Sequence, residues 1–103
     1  MSLLLATTLF ALQAAPTPVD IADAKCIGAM SMLEGQASAA DKPGLQMAMM
    51  FFLGKIYGRS GKGVFDPAMK AAVEQIKATG GADALSAIAE QCATEFSAAS
   101  GDK

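Results

Sequence analysis

Cys26 and Cys92 are the chain's two cysteines, and they stand near opposite ends of its charged portion. Each falls on an apolar repeat at helical spacing. Cys26 is four residues from Met30, and Cys92 is four from both Ile88 and Phe96. In a bundle of short-looped helices, two such positions can be neighbours. An oxidised pair would remove unfolded-chain entropy worth roughly 4 kcal/mol. That is close to the whole net stability of a small domain. Two separate buried thiols are the plain alternative, because free cysteine is also a core residue. A reactive thiol has less behind it, and no Cys-x-x-Cys pair points to redox catalysis.

A chain of 103 residues makes one domain. It contains no histidine, which excludes mechanisms built on a histidine base. Two cysteines without histidine cannot form a Cys/His zinc site within one chain. Eight Lys and Arg against ten Asp and Glu give a net charge of -2, so no large basic stripe exists for nucleic acid.

Residues 2–15 read SLLLATTLFALQAA, without a charge. The apolar stretch 3–12 would span about 15 Å as helix, half a bilayer core, so no stable membrane span is expected. It fits the hydrophobic region of a signal peptide, with Leu12-Gln13-Ala14 as a small-residue cleavage site. No Lys or Arg precedes it, so a signal's positive charge comes from the amino terminus or from residues upstream of Met1. A retained anchor or an ordinary N-terminal helix are the alternatives. The expected division is a signal peptide over 1–14, an extended leader over 15–19, a helical domain over 20–97 and a frayed tail over 98–103. A bacterial periplasmic or secreted location is the corollary of the export reading.

Beyond the leader, no alternating β-branched run suggests a strand. Frequent Ala and Met favour helix. Four helices are expected. The first starts after Asp20 as cap, with Cys26, Ile27, Met30, Leu33 and Ala37 on its apolar stripe. The second starts after Asp41, with Pro43 in its first turn, and Leu45, Ala48, Met49, Phe52 and Ile56 make one face. Met47, Met50, Phe51, Leu53 and Tyr57 spread apolar surface around the rest, as expected of a central helix or one covered by a partner. Gly54 interrupts it, either for close helix approach or at a bend. The third is capped by Asp66 with Pro67 next, carries Met69, Ala72, Val73 and Ile76, and ends at Thr79-Gly80-Gly81. The fourth starts near Asp83 and lines up Leu85, Ile88, Ala89, Cys92 and Phe96. The fold class is therefore all-α: a compact bundle of four short helices stapled by one disulfide.

Little catalytic chemistry is visible, and the chain does not read as an enzyme. Gly61-Lys62-Gly63 lacks the strand, glycine spacing and Ser or Thr of a phosphate loop. Ser60 has no positioned base, and Ser–Lys chemistry would have to run through Lys62. Asp20 and Asp23 read as a cap and a solvated charge. No loop is dense enough in oxygen ligands for calcium. No cofactor and no metal are expected.

Two features suggest binding. Lys55, Arg59 and Lys62 form a small basic patch around a flexible 58–63 connection, suited to an acidic partner or a lipid headgroup. Met50, Phe51 and Leu53 lie off the main stripe of the second helix. They are core residues, a client-binding or self-association surface giving a homodimer, or the wall of an apolar pocket.

The order of leader, Cys26, the Phe51-Phe52-Leu53-Gly54-Lys55 helix, a Gly-rich loop and Cys92 resembles the small helical periplasmic acid-stress chaperones of Gram-negative bacteria. It is also similar to small periplasmic immunity proteins that neutralise cell-wall-targeting toxins. Both resemblances cover 20–96 in layout, and both imply Cys26 and Cys92 as a structural pair. The chaperone resemblance implies a dimer at neutral pH that separates in acid and binds clients. The immunity resemblance implies a specific toxin partner. Without either, the reading is an exported helical protein of unknown activity that acts by binding protein.

Overall fold

Thr17 starts the first helix by a reciprocal cap. Its hydroxyl accepts from the Asp20 amide at 3.1 Å, and its own amide donates to the Asp20 carboxylate at 2.9 Å. The computed structural model describes residues 15–101. The expected signal peptide over 1–14 and the last two residues of the tail lie outside the described residues. Among the described residues there are four α-helices: α1 (Pro18–Gln36), α2 (Lys42–Ser60), α3 (Phe65–Ala78) and α4 (Ala82–Ala99). α1 thus begins at Pro18 and not after Asp20. Proline suits that first position because its missing N–H has no partner to lose. Asp20 is the third helical residue and not the cap, and the expected extended leader already contributes Pro18 and Val19 to the helix.

The helices form a compact bundle stapled by a Cys26–Cys92 disulfide, with the two Cα atoms 5.6 Å apart. α1 takes the centre and packs on α2, α3 and α4. Apolar and small residues around its circumference let it meet neighbours on several sides. One core, against α2 and α3, joins Ala24, Ile56, Val64, Ala68 and Ala72. The other, against α2 and α4, joins Cys26, Met30, Ala48, Phe52 and Cys92. The expectation of a central or covered α2 is therefore half met. Its Phe52 and Ile56 are fully buried, but Met47 and Met50 are 65% and 68% exposed.

Three local readings change. Gly54 faces open space, with nothing within 4 Å of where its Cβ would lie, so it serves no close helix approach. The 58–63 stretch is not a free loop. α2 runs through Arg59 to Ser60, Gly61 breaks it at φ 90°, and a 3₁₀ turn (Lys62–Val64) then buries Val64. Asp66 sits in the first turn of α3 without capping it. The buried stripe of α3 is Ala68, Ala72 and Ile76, which leaves Val73 at 42% exposure; Leu33 on α1 is likewise 42% exposed.

α3 stops as its sequence suggests. The Gly81 amide reaches the Ile76 carbonyl at 3.1 Å, and Gly80 and Gly81 take positive φ angles of 124° and 63° that side-chain-bearing residues avoid. α3 and α4 then diverge from this turn and pack on α1 rather than on each other. No helix among the described residues is long and apolar enough to cross a membrane.

Candidate functional site

The first two turns of α1 bring Asp20 and Asp23 onto one face, three residues apart. The last turns of α2 bring up Lys55 and Arg59, four apart. The two faces meet. Asp20 is fully buried and Asp23 nearly so. Arg59 Nε donates to Asp20 Oδ1 at 2.9 Å, and its Nη2 lies 2.6 Å from Asp23 Oδ2. Ser60 Oγ donates to Asp20 Oδ2 at 2.7 Å. Lys55 Nζ bridges Asp23, at 3.1 Å, to Glu95 on α4. The same ammonium stands 5.4 Å from the ring centroids of Phe51 and Phe52.

Burial pushes the Asp20 carboxyl up. The hydrogen bonds of Ser60, the Thr17 amide, Arg59 and the Thr17 hydroxyl outweigh it and hold the group at about 2. Burial also opposes charge on Lys55, but its bonds to Glu95 and Asp23 raise it above the ordinary lysine value. The Asp23 hydrogen bond, against burial, raises Arg59 further. Both Asp20 oxygens already accept hydrogen bonds, so this constellation acts as a clamp between α1 and α2. No buried side-chain N or O among the described residues lacks a partner.

This clamp corrects two sequence readings. Asp20 and Asp23 are not solvated charges, since close pairing with cations from α2 offsets their desolvation. Lys55 and Arg59 are not free members of a basic patch, because their charges are turned inward on those carboxylates. Of the three expected patch residues, Arg59 and Lys62 are exposed and Lys55 is half-buried, and the Arg59 guanidinium is engaged by Asp20 and Asp23. The signal that was present is the match of spacings: two acids one turn apart and two bases one turn apart on helices joined by a short connection.

The Met50, Phe51 and Leu53 group is also divided. Met50 is exposed and Leu53 half-buried. Phe51 is half-buried, its ring 4.9 Å from Phe52 and 5.5 Å from Phe96. It belongs to the packing of α2 on α4 and not to an outward surface. Cys26 and Cys92 meet as a disulfide and are not reactive or separate thiols. Among the described residues, no group of three or more His, Cys, Asp or Glu side chains is placed to hold a metal.

An apolar surface appears elsewhere. The divergence of α3 from α4 opens a groove of about 360 Å³ over α1, lined by Gly28, Met32, Val73, Ile76, Lys77 and Leu85. An adjoining hollow of about 210 Å³ shares Met32 and Leu85 and adds Leu33. Met32 is 53% exposed. Helical periodicity placed Leu33 and Val73 in the core, because it assumes that the faces carrying them are covered. The missing cover is a consequence of the α3–α4 divergence, which periodicity within one helix does not encode. No family model matches the chain, and neither a curated protein nor a solved structure matches it.

Proposed function

We propose that this chain is an exported helical domain that acts by binding another polypeptide through apolar side chains. The observation that carries this reading is the unfilled groove between α3 and α4, where Met32 and Val73 remain at the surface, with Leu33 in the adjoining hollow. Apolar surface gathered in a concave site favours binding to another apolar surface. Export is supported by the uncharged apolar run over 3–12 and by the disulfide, which persists in oxidising compartments. The test places a photo-crosslinker at Val73 and, as control, at Thr94 in the full-length gene product in a bacterial host. Crosslinks at Val73 to a defined partner, abolished by Leu85→Asp, support the reading. Equal labelling at both positions, or a mature chain that retains residues 1–14 in the cytoplasm, removes it.

A second reading, a client-binding protein of acidic surroundings, is favoured by one observation. The Asp20 carboxyl is held at about 2, so this buried carboxylate keeps its charge where ordinary surface carboxyls lose theirs. Suppression of client aggregation at pH 3 but not at pH 7 supports it, and equal or absent protection at both values removes it.

A further inference from the structure

α4 is held differently from the other three helices. α1, α2 and α3 share the Ala24, Ile56, Val64, Ala68 and Ala72 core and, between α1 and α2, the charged clamp. α4 buries only Ala89 and Cys92 and does not pack along α3. Its remaining attachments are half-buried Ala84, Leu85, Ile88 and Phe96 and the ion pair of Glu95 with Lys55. It leaves α3 through Gly80 and Gly81, both at positive φ, a joint at which the helix can be reoriented with little rearrangement. A cleft of about 250 Å³, lined by Lys25, Cys26, Ile88, Gln91, Cys92 and Glu95, leads from the surface to the disulfide.

We propose that the Cys26–Cys92 disulfide is a redox latch on α4. A dithiol reductant entering by this cleft releases α4 to turn about Gly80 and Gly81, which uncovers Met30, Ala48 and Phe52. The thiolate of the dithiol attacks one sulfur, forms a mixed disulfide and expels the other cysteine as thiolate. The second thiol of the reductant then closes on the mixed disulfide and expels the first cysteine. Two electrons have passed to the protein, two protons end on Cys26 and Cys92, and the reductant leaves as a disulfide. The rest of the bundle keeps its own fastening. The Asp20, Asp23 and Arg59 clamp and the Ile56 core contain no residue of α4. Release exposes the apolar side of the second core, on the opposite flank of α1 from the α3 core.

Hydrogen exchange read by mass spectrometry on the full chain tests the latch. It is measured in the oxidised protein, after dithiothreitol, and in the Cys26→Ser/Cys92→Ser double variant without reductant. Amides of α4 (Ala82–Ala99) are expected to exchange at least about tenfold faster in both bond-free forms, with those of 18–78 changed by less than about twofold. Three results overturn the proposal. Unchanged α4 protection means that Ile88, Ala89 and Phe96 hold it without the bond. Loss of protection in all four helices together means that the bond staples the whole domain. Failure of dithiothreitol to generate two titratable thiols without denaturant means that the cleft does not admit a reductant.

Discussion

The guanidinium of Arg59 lies 2.8 Å from a carboxylate oxygen of Asp20 that solvent does not reach. The pair ties the first turn of α1 to the last turn of α2, and each charge sits at the helix end whose dipole favours it. Ions taken out of water cost several kcal/mol unless they are paired, and removing one partner strands the other.

Arg59→Ala should therefore lower unfolding stability by about 3 kcal/mol in urea titrations. Arg59→Lys should recover only part of this, because one ammonium cannot present the fork that reaches both Asp20 and Asp23. A loss below about 1 kcal/mol for Arg59→Ala would place the pair with ordinary surface salt bridges.

The same carboxylate sets an acid dependence. Its value in the fold, about 2, lies below the ordinary 3.8. A depressed folded value gives stability that is complete above pH 4 and is lost as pH falls from about 4 to about 2. The amount is about 2 kcal/mol. Asp20→Asn should remove that component. Urea midpoints of the parent and the variant should thus converge between pH 4 and pH 2 and stay parallel between pH 7 and pH 5.

Phe51 and Phe52 should separate in degree rather than in kind. Phe52→Ala empties a fully buried site and should cost about 3–5 kcal/mol. Phe51→Ala removes a half-buried ring packed against Phe96 and should cost about 1–2 kcal/mol. Thermal unfolding of both variants measures this. Sedimentation of Phe51→Ala should match that of the parent, since the ring packs on Phe96 of α4.

Gly54→Ala should raise stability by about 0.5–1 kcal/mol. The added methyl meets no atom within 4 Å, and the position lies inside a regular helix. A destabilised variant would show that the glycine permits a bend that the bundle uses.

The parts of the fold that depend on neighbours in sequence were legible. Pro43 in the first turn of α2, and Thr79, Gly80 and Gly81 after α3, mark helix ends by their own backbone chemistry. The disulfide was legible because both cysteines carry a core periodicity. Arg59 was not, because glycines at 58, 61 and 63 make the local chain look like a loop. A tertiary contact extends α2 through Arg59 to Ser60, and its partner, Asp20, lies 39 residues away. The groove was hidden for a related reason. Leu33 and Val73 have the spacing of buried residues, and only the divergence of α3 and α4 decides that nothing in the described chain covers them.

The disulfide encloses the chain from position 26 to position 92, and every connection between the four helices lies inside that ring. A protease that cuts any of these connections makes two fragments that stay covalently joined. The domain can be nicked at its turns without shedding a piece, and the damage becomes visible as separate chains only after the sulfurs are reduced. Resistance to being dismantled therefore comes from where the ring closes as much as from how tightly the helices pack.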